Sequence, residues 1–345
     1  MPADTPSSEP GPGGTAPATS RRARRAAERA AQLEAELAAE QEVVSTGQLP
    51  LGEAELPAQP AEQAEPRELL TEPGPTSRAG RNLPVAIAVG LGLGAALLAS
   101  LFFRKEIFLA LAVLVCIGGL WELDRGLRTR DIRLPLLPLA VGTVGMLVSA
   151  YTAGIEALLV AFVLTAGGVF VWRVVDGGGV AALREATTGI FAAAYIPFLA
   201  GFLTIMLSAD DGQWRVLMLI ALVVANDTGG YTAGVLFGRH PMAPSVSPKK
   251  SWEGAVGSLV LAVAVGIGFA LWCLDLDWWA GALLGVAAVI GAVFGDLAES
   301  MLKRDLGIKD MGTLLPGHGG ILDRVDSILL AAPVVFALML VLAPT

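Results

Sequence analysis

Cysteine, histidine and charged residues are scarce in this chain. The two cysteines, Cys116 and Cys273, lie inside apolar runs, so we expect neither a disulfide framework nor a thiolate metal site. The two histidines, His240 and His318, lack neighbouring cysteine or histidine partners, which disfavours zinc. Only 16% of the residues are charged and the sequence shows no basic face, so we expect no nucleic-acid partner. A G-x-S-x-G turn is also absent, which disfavours a serine hydrolase.

Apolar residues, in contrast, are abundant. They make up 54% of the 345 residues, and the mean hydropathy is +0.63. This composition is too apolar for a soluble domain and predicts an all-α polytopic membrane protein. The net charge of −8 arises mainly in residues 1–82, which hold 8 Lys/Arg and 13 Asp/Glu, against 16 and 19 in the remainder.

Residues 1–82 are rich in Pro, Ala and Glu, and the first aromatic residue of the chain is Phe102. Such a segment cannot bury enough apolar surface to offset its chain entropy, so we expect a disordered cytoplasmic tail. Its arginine cluster, at positions 21, 22, 24 and 25, would suit anionic lipid headgroups. The interpretation we prefer is a solvated tail whose arginines help to keep it on the cytoplasmic side.

Residues 83–345 form the predicted transmembrane domain. A spanning helix needs about 20 mainly apolar residues. The sequence contains nine such segments, at about 84–103, 106–123, 134–151, 155–175, 187–208, 214–236, 255–274, 278–298 and 327–343.

The lysine and arginine distribution predicts the orientation of these segments. With the tail inside, thirteen of these residues fall in cytoplasmic loops and three on the opposite side, which satisfies the positive-inside rule. The N-terminus is then cytoplasmic and the C-terminus outside, in a plasma or inner membrane. A homodimer is compatible with such a helical bundle, although no residue argues for it.

The stretch 295–327 concentrates charge between two apolar runs. Asp296, Glu299, Ser300 and Lys303 are spaced i, i+3, i+4, i+7, so they share one face if the eighth span continues as a helix. Asp323 and Asp326 are again three residues apart at the start of the last span. Between them, the glycine turn at 316–320 would let backbone N–H groups approach an anion.

Carboxylates at a bilayer edge suit Mg²⁺, which proteins usually hold with one or two carboxylates plus substrate phosphates. The alternative is that these charges merely anchor helix ends at the interface. We prefer a functional site because Asp296 adjoins an apolar run and needs a partner or a cation there. Glu122, which follows Trp121, is interpreted as a helix-end residue rather than a catalyst.

A second polar stretch covers residues 226–254. Asp227 lies within the sixth apolar run, where an ionisable group indicates function. The loop that follows contains Ser247, Lys249 and Lys250, whose cations and hydroxyl could hold a triphosphate. The two lysines are equally compatible with a simple positive-inside signal.

Both stretches resemble one family. The C-terminal one is similar to the signature of phosphatidate cytidylyltransferases, the CDP-diacylglycerol synthases, through Ser300, Lys303, Arg304, Lys309, Asp310, Gly312, Leu315, Pro316, His318, Gly319, Gly320, Asp323, Arg324, Asp326 and Ser327. The upstream one is similar to the family's block from Asp227 to Gly254. Gly230 and Ser251 replace the commoner Ala and Thr there. The resemblance covers about residues 84–345.

The resemblance implies transfer of a cytidylyl group from CTP to phosphatidic acid, giving CDP-diacylglycerol and pyrophosphate. It also implies a metal centre on the acids that match Asp296 and Asp323. Mg²⁺ is the expected cofactor, and a second monovalent or divalent cation is an open option. CTP, phosphatidic acid and the lipid bilayer are the expected partners.

On this basis each candidate residue receives a role. We assign metal binding to Asp296 and Asp323, with Asp326, Asp227 and Glu299 as helpers. Lys303 is the candidate for transition-state charge. The remaining substrate-binding candidates are Ser247, Lys249, Lys250, Arg304, Lys309, His318, Gly319, Gly320 and Arg324.

Two other activities stay open at this point. A CTP-dependent lipid-alcohol kinase would use the same metal and nucleotide chemistry but would release CDP. An ion-coupled transporter would also place Asp227 and Asp296 at membrane depth, although it would favour charges at the midplane rather than at one face.

Overall fold

The computed structural model describes residues 83–243, 247–312, 314 and 319–343. The predicted disordered tail, residues 1–82, lies outside the described residues, and so does His318. The described residues belong to one compact unit, Gly74–Thr345. They are mostly helical, as the sequence predicts.

The described residues form helices with one short pair of strands. The elements are α1 (Leu83–Phe103), α2 (Lys105–Leu127), α3 (Leu136–Val175), α4 (Gly179–Ala193), α5 (Leu199–Ser208), α6 (Gly212–Phe237), β1 (Pro241–Ala243), β2 (Ser247–Ser251), α7 (Trp252–Cys273), α8 (Trp278–Leu306) and α9 (Leu322–Leu342). A 3₁₀ turn, Arg128–Arg130, follows α2, and a π-helical turn, Ala194–Phe198, joins α4 to α5.

Seven helices of the described residues are long and apolar enough to cross a membrane. They are α2, α3, the continuous α4–α5 segment, α6, α7, α8 and α9, and α1 adds a shorter apolar stretch, Gly90–Phe103. Large apolar side chains such as Leu164 and Trp272 lie exposed on the outside, as expected where lipid is the solvent. The chain is a multi-pass membrane protein. Nine crossings and their orientation stay predictions.

The 40-residue helix α3 is not one straight rod. Gly154 has φ of +76°, which breaks the helix between two predicted spans. Residues 142 and 165 would lie about 35 Å apart along a straight helix. Instead, a Cβ on Gly142 would come within 2.2 Å of the Thr165 side chain. The Ser149 hydroxyl also lies 3.3 Å from the carbonyl of Ala157. The two halves therefore fold back against each other.

Two helix boundaries differ from the sequence prediction. Helix α8 continues past the predicted end at residue 298 to Leu306, so the condition for a shared face of Asp296 and Lys303 is met. Helix α9 begins at Leu322 rather than at residue 327, so Asp323 and Asp326 lie in its first two turns. Both differences have the same cause: polar turns at a membrane face continue the helix beyond its apolar part.

The sequence prediction of an all-α protein needs one correction. Strands β1 and β2 pair antiparallel, with Pro241 opposite Ser251 and Ala243 opposite Ser247. The stretch predicted as a loop is therefore partly a hairpin. Its second strand leads directly into α7, whose first turn is capped by the Ser251 hydroxyl, which accepts from Gly254 N at 3.1 Å.

The core has two buried clusters. One joins α2 and α3 through side chains such as Leu120 and Leu139, and the other joins α6 and α8 through Leu222 and Leu284. Close helix crossings position the polar residues beside these clusters. At Gly295 a Cβ would lie 2.5 Å from the Asp326 carbonyl oxygen, so only glycine allows α8 and α9 to approach so closely there.

Candidate active site

A cavity of about 240 Å³ opens between α6, the hairpin, α7 and α8. Asp227 on α6, Lys250 on β2 and Asp296 on α8 all line it. The Lys250 ammonium forms an ion pair with the Asp296 carboxylate, and both side chains are partly exposed, at 26% and 37%. The structure thus brings together residues that are far apart in sequence and offers both charge signs to a ligand.

The α6 side of this cavity is held by hydrogen bonds. The Asn226 amide donates to Asp227 Oδ1 at 3.0 Å, and the Ser258 hydroxyl donates to the Asn226 carbonyl at 2.6 Å. Asn226 is buried, and its Oδ1 has no hydrogen-bond partner among the described residues. The Ser258 contact ties α6 to α7 at the depth of Asp227, which fixes one carboxylate of the cavity.

A second polar cluster, less exposed than the first, lies where α8 meets α9. Lys303 Nζ donates to Glu299 Oε2 at 2.6 Å and to Asp323 Oδ1 at 2.9 Å. The Glu299 and Asp323 side chains are 1% and 10% exposed, and that of Lys303 is 17% exposed. We name these three residues the buried triad. Its lysine is held by carboxylates from two helices, and its hydrogen-bond geometry is well defined.

Asp323 also organises the loop before α9. Its Oδ2 accepts hydrogen bonds from Met311 N and Gly320 N, both at 3.1 Å. Both carboxylate oxygens of Asp323 are therefore engaged within the protein. Gly319 has φ of +83°, a left-handed conformation that favours glycine and turns the chain into α9.

Asp326 on α9 interacts electrostatically with both the cavity and the buried triad. It is 7% exposed, and its Oδ1 accepts from Ser327 N at 2.6 Å. Its charge interacts with those of Asp296 and Lys303. Arg324 is exposed at the same helix start, and its charge reaches Asp227.

The predicted shared face on α8 is confirmed by direct contacts. The Ser300 hydroxyl lies 3.4 Å from Asp296 Oδ1, and Lys303 contacts Glu299 one turn away. These are the i, i+4 pairs that the spacing predicts. The face nevertheless divides between two sites, since Asp296 turns to Lys250 and Lys303 turns to Asp323.

Some predicted substrate-binding residues lie away from this centre. Arg304 and Lys309 are exposed, and Lys309 lines a different cavity of about 580 Å³ together with Glu122 and Arg125. The side chains of Ser247 and Lys249 lie outside the described part of the chain, as does His318. Their assignments stay predictions.

The four predicted metal ligands do not form one cluster. Among residues 83–243, 247–312, 314 and 319–343, no three His, Cys, Asp or Glu side chains lie close enough together to hold a metal ion. Asp227 and Asp296 line the same cavity, whereas both oxygens of Asp323 already accept hydrogen bonds. This donor set fits a Mg²⁺ ion held by one or two carboxylates together with substrate phosphates.

Sequence reasoning undervalued Glu122. The structure buries it completely, and its Oε2 accepts from Leu322 N at 2.9 Å, across 200 residues of sequence. Tyr195 received no role from the sequence, yet its buried hydroxyl has no hydrogen-bond partner among the described residues and lies within electrostatic range of Glu299 and Asp326. No local spacing signal could have found either contact.

Known proteins resemble the chain over most of its length. Residues 84–342 match the cytidylyltransferase family. A phosphatidate cytidylyltransferase of Mycobacterium leprae (strain TN) is 42% identical over 289 residues, which cover 77% of this chain and 90% of the relative. The protein of that name from Mycobacterium tuberculosis (strain ATCC 25618 / H37Rv) is 39% identical, with coverage of 81% and 87%. One from Haemophilus influenzae is 42% identical over 148 residues, 40% of this chain and 51% of the relative. The chain belongs to the cytidylyltransferase family.

Proposed function

We propose that the protein is an enzyme that transfers the CMP group of CTP to phosphatidic acid, which yields CDP-diacylglycerol and pyrophosphate for phospholipid synthesis. Two observations support this reaction. Relatives that are about 40% identical over most of their length carry the name phosphatidate cytidylyltransferase. The structure adds a cavity that is lined by two carboxylates and a lysine.

The cavity with Asp227, Lys250 and Asp296 is the observation that carries the proposal. The phosphate of phosphatidic acid is already a nucleophile at neutral pH, so a strong general base is not required. The enzyme has to bring two polyanions together and stabilise charge on the α-phosphate and on the leaving pyrophosphate. Such transfer depends mainly on positioning and electrostatics. A cavity with exposed ions of both signs can provide both the positioning and the electrostatic stabilisation.

Lys250 and Lys303 have different roles in this proposal. The partly exposed Lys250 exchanges its partner Asp296 for a phosphate oxygen when the nucleotide binds. Lys303 keeps both carboxylate partners, and of its three N–H donors these described contacts use two. The remaining donor would stabilise the charge that develops during transfer.

Asp227 and Asp296 would hold Mg²⁺ in this proposal, since both line the cavity. When bound, the ion supplies positive charge that neutralises phosphate oxygens. Asp326 is a second carboxylate within electrostatic reach of Asp296. The contacts of Asp323 favour a positioning role for it, which would replace the metal-binding role that the resemblance implies.

The other predicted substrate-binding residues keep their roles in the proposal, although Lys309 lines a different cavity. Lys249 and Ser247 on β2, and His318 with Gly319 and Gly320, would bind the nucleotide. Arg304, Lys309 and Arg324 would supply positive charge to the two phosphate substrates, and the charge of Arg324 reaches Asp227.

We further propose nine crossings, with this site at the cytoplasmic face of a plasma or inner membrane. The break at Gly154 supports two crossings within α3. Contacts between the segments that carry Arg130, Arg133 and Arg173 support a location of those segments on the same side of the membrane. Arg173 donates to the Arg133 carbonyl at 2.8 Å, and Arg130 donates to the Asp305 carbonyl. The accumulated positive charge favours the cytoplasmic side.

The test is release of pyrophosphate from CTP by the detergent-purified full chain with Mg²⁺, with and without phosphatidic acid. The proposal requires pyrophosphate that depends on both the lipid and Mg²⁺, and CTP should be preferred over ATP. CDP that appears with a lipid alcohol would instead identify a kinase, and the absence of turnover with either lipid would reject both enzymatic assignments.

A further inference from the structure

Glu122 holds a position that the proposed reaction has not yet used. It lies on α2, whereas the residues that it contacts belong to the loop before α9 and to the start of α9. The side chain is fully buried, and only one of its oxygens has a hydrogen-bond partner among the described residues. Burying a carboxylate is unfavourable unless its contacts compensate. These contacts therefore indicate what the residue does.

The first contact is with the N-terminus of α9. Leu322 is the first residue of that helix, and its N–H donates to Glu122 Oε2 at 2.9 Å. The preceding residue, Ile321, has an apolar side chain that cannot cap the helix. A carboxylate is the group that a helix N-terminus favours, through both its free N–H groups and its dipole. Glu122 thus caps α9 from a distant helix.

The second contact is steric and concerns the loop backbone. A Cβ on Gly312 would lie 2.2 Å from Glu122 Oε1, and its next two nearest atoms also belong to Glu122. A Cβ on Gly320 would lie 2.8 Å from Glu122 Oε2 and 2.7 Å from Asp323 Oδ2. Gly320 is therefore packed between the carboxylates of Glu122 and Asp323, and Gly312 lies against Glu122.

The two contacts converge on the buried triad. Asp323 accepts from Met311 N and Gly320 N, which belong to the same loop, and its other oxygen holds Lys303. A shift of the loop or of the first turn of α9 would therefore displace Asp323 and, through it, the Lys303 ammonium. Small displacements of positioned groups reduce turnover strongly.

We infer that Glu122 is a positioning residue for the reaction: its carboxylate, acting from α2, fixes the backbone at Gly312 and Gly320 and the first turn of α9. It thereby places Asp323 and Lys303. The inference rests on the proposed function, because its effect is measured as cytidylyl transfer. It differs from the sequence interpretation of Glu122 as an ordinary helix-end residue.

A matched control is available two residues away. Asp124 lies on the same helix and is equally buried, but its Oδ1 accepts from Leu134 N at 2.8 Å and its Oδ2 pairs with Arg128, outside the site. Glu122→Ala should lower kcat at saturating CTP by about 10- to 100-fold. Asp124→Ala should leave kcat per folded molecule near the wild-type value. Glu122→Gln, which retains an acceptor oxygen for Leu322 N, should recover most of the activity.

A double-mutant cycle measures the coupling between two substitutions, which a general loss of stability would not change. Gly312→Ala places a methyl group against the Glu122 side chain and should lower kcat by about tenfold or more. In the Glu122→Ala background this space is free, so Gly312→Ala should lower kcat by less than about threefold. Gly145→Ala, whose Cβ would meet nothing within 4 Å, is the steric control.

The outcomes are distinct. Wild-type protein without CTP- and lipid-dependent turnover would reject the proposed function itself. Active wild type with equal kcat values for Glu122→Ala and Asp124→Ala, or additive effects of Glu122→Ala and Gly312→Ala, would overturn the positioning role. If Glu122→Ala fails to insert, the cycle is run with Glu122→Ser and Gly312→Ala, since serine also leaves the space beside Gly312 free. Activity of the single Gly312→Ala variant equal to wild type would then also reject the role.

Discussion

The cavity pair Lys250–Asp296 and the buried triad Glu299–Lys303–Asp323 contain the same chemical groups in different surroundings. The side chains of the first pair are 26% and 37% exposed and form one ion pair. The triad is almost wholly enclosed, and its lysine contacts two acids. Exposed ion pairs contribute little to stability and exchange partners readily, whereas breaking a buried pair leaves an uncompensated charge. We therefore propose that the cavity pair exchanges ligands and that the triad maintains a fixed geometry.

The largest effect should follow loss of the cavity carboxylate. Asp296→Ala removes the partner of Lys250 and a proposed Mg²⁺ ligand, so turnover should fall by at least about 10²–10³-fold while the protein remains inserted. Pyrophosphate release measures this loss. Asp305→Ala, an exposed acid near the end of the same helix, should retain activity. Near-normal turnover of Asp296→Ala would show that the cavity is not the site of the reaction.

Loss of the triad lysine should affect both stability and activity. Lys303→Met leaves Glu299 and Asp323 without their cation, and should lower the free energy of unfolding by about 3–5 kcal/mol together with turnover. Thermal unfolding in detergent, compared with wild type, measures the first effect. Adding Glu299→Gln should recover part of the stability but not the activity. Unchanged unfolding of Lys303→Met would contradict the assignment of a structural role to the triad.

The cavity lysine should show the opposite pattern. Lys250→Gln should raise the KM for CTP by about tenfold, since a charged contact to phosphate is lost, and it should change stability by no more than about 1 kcal/mol. The matched control is Arg184→Gln, an exposed cation on α4. A larger loss of stability in Lys250→Gln than in Lys303→Met would contradict the proposal that the triad, rather than the cavity pair, stabilises the fold.

The smallest effect is expected at the wall of the cavity. Ser258→Ala removes the hydrogen bond that ties α7 to the Asn226 carbonyl, and an interhelical hydrogen bond of this kind contributes about 0.6 kcal/mol in membranes. We expect a small decrease in the unfolding temperature with turnover nearly unchanged. A large loss of turnover would mean that Ser258 itself contacts substrate.

Local patterns predicted much of this arrangement. Apolar run lengths located the helices, and the i, i+4 spacing placed Asp296 with Ser300 and Glu299 with Lys303 on one face, as the contacts confirm. Spacing along one helix could not show that the face divides between two sites. That division arises because Lys250 comes from β2 and Asp323 from α9.

The features that sequence reasoning missed depend on the tertiary fold. The hairpin of β1 and β2 is short and contains prolines, so it carries no period-two apolar signal. Glu122 reads as a charge at the end of an apolar run, and its contact with Leu322 appears only when α2 packs against the start of α9. The metal assignment of Asp323 rested on the spacing of the carboxylates and on the family resemblance, and its engaged oxygens are visible only in three dimensions.

The most direct test of the central claim follows the phosphorus atoms of CTP. The purified full chain would be incubated with phosphatidic acid, Mg²⁺ and CTP labelled at either the α- or the γ-phosphate, and the lipid phase would be counted. We expect the α-label in the lipid product and the γ-label in pyrophosphate, with neither transferred by Asp296→Ala. Transfer of the γ-label to lipid, or release of both labels without lipid, would contradict cytidylyl transfer.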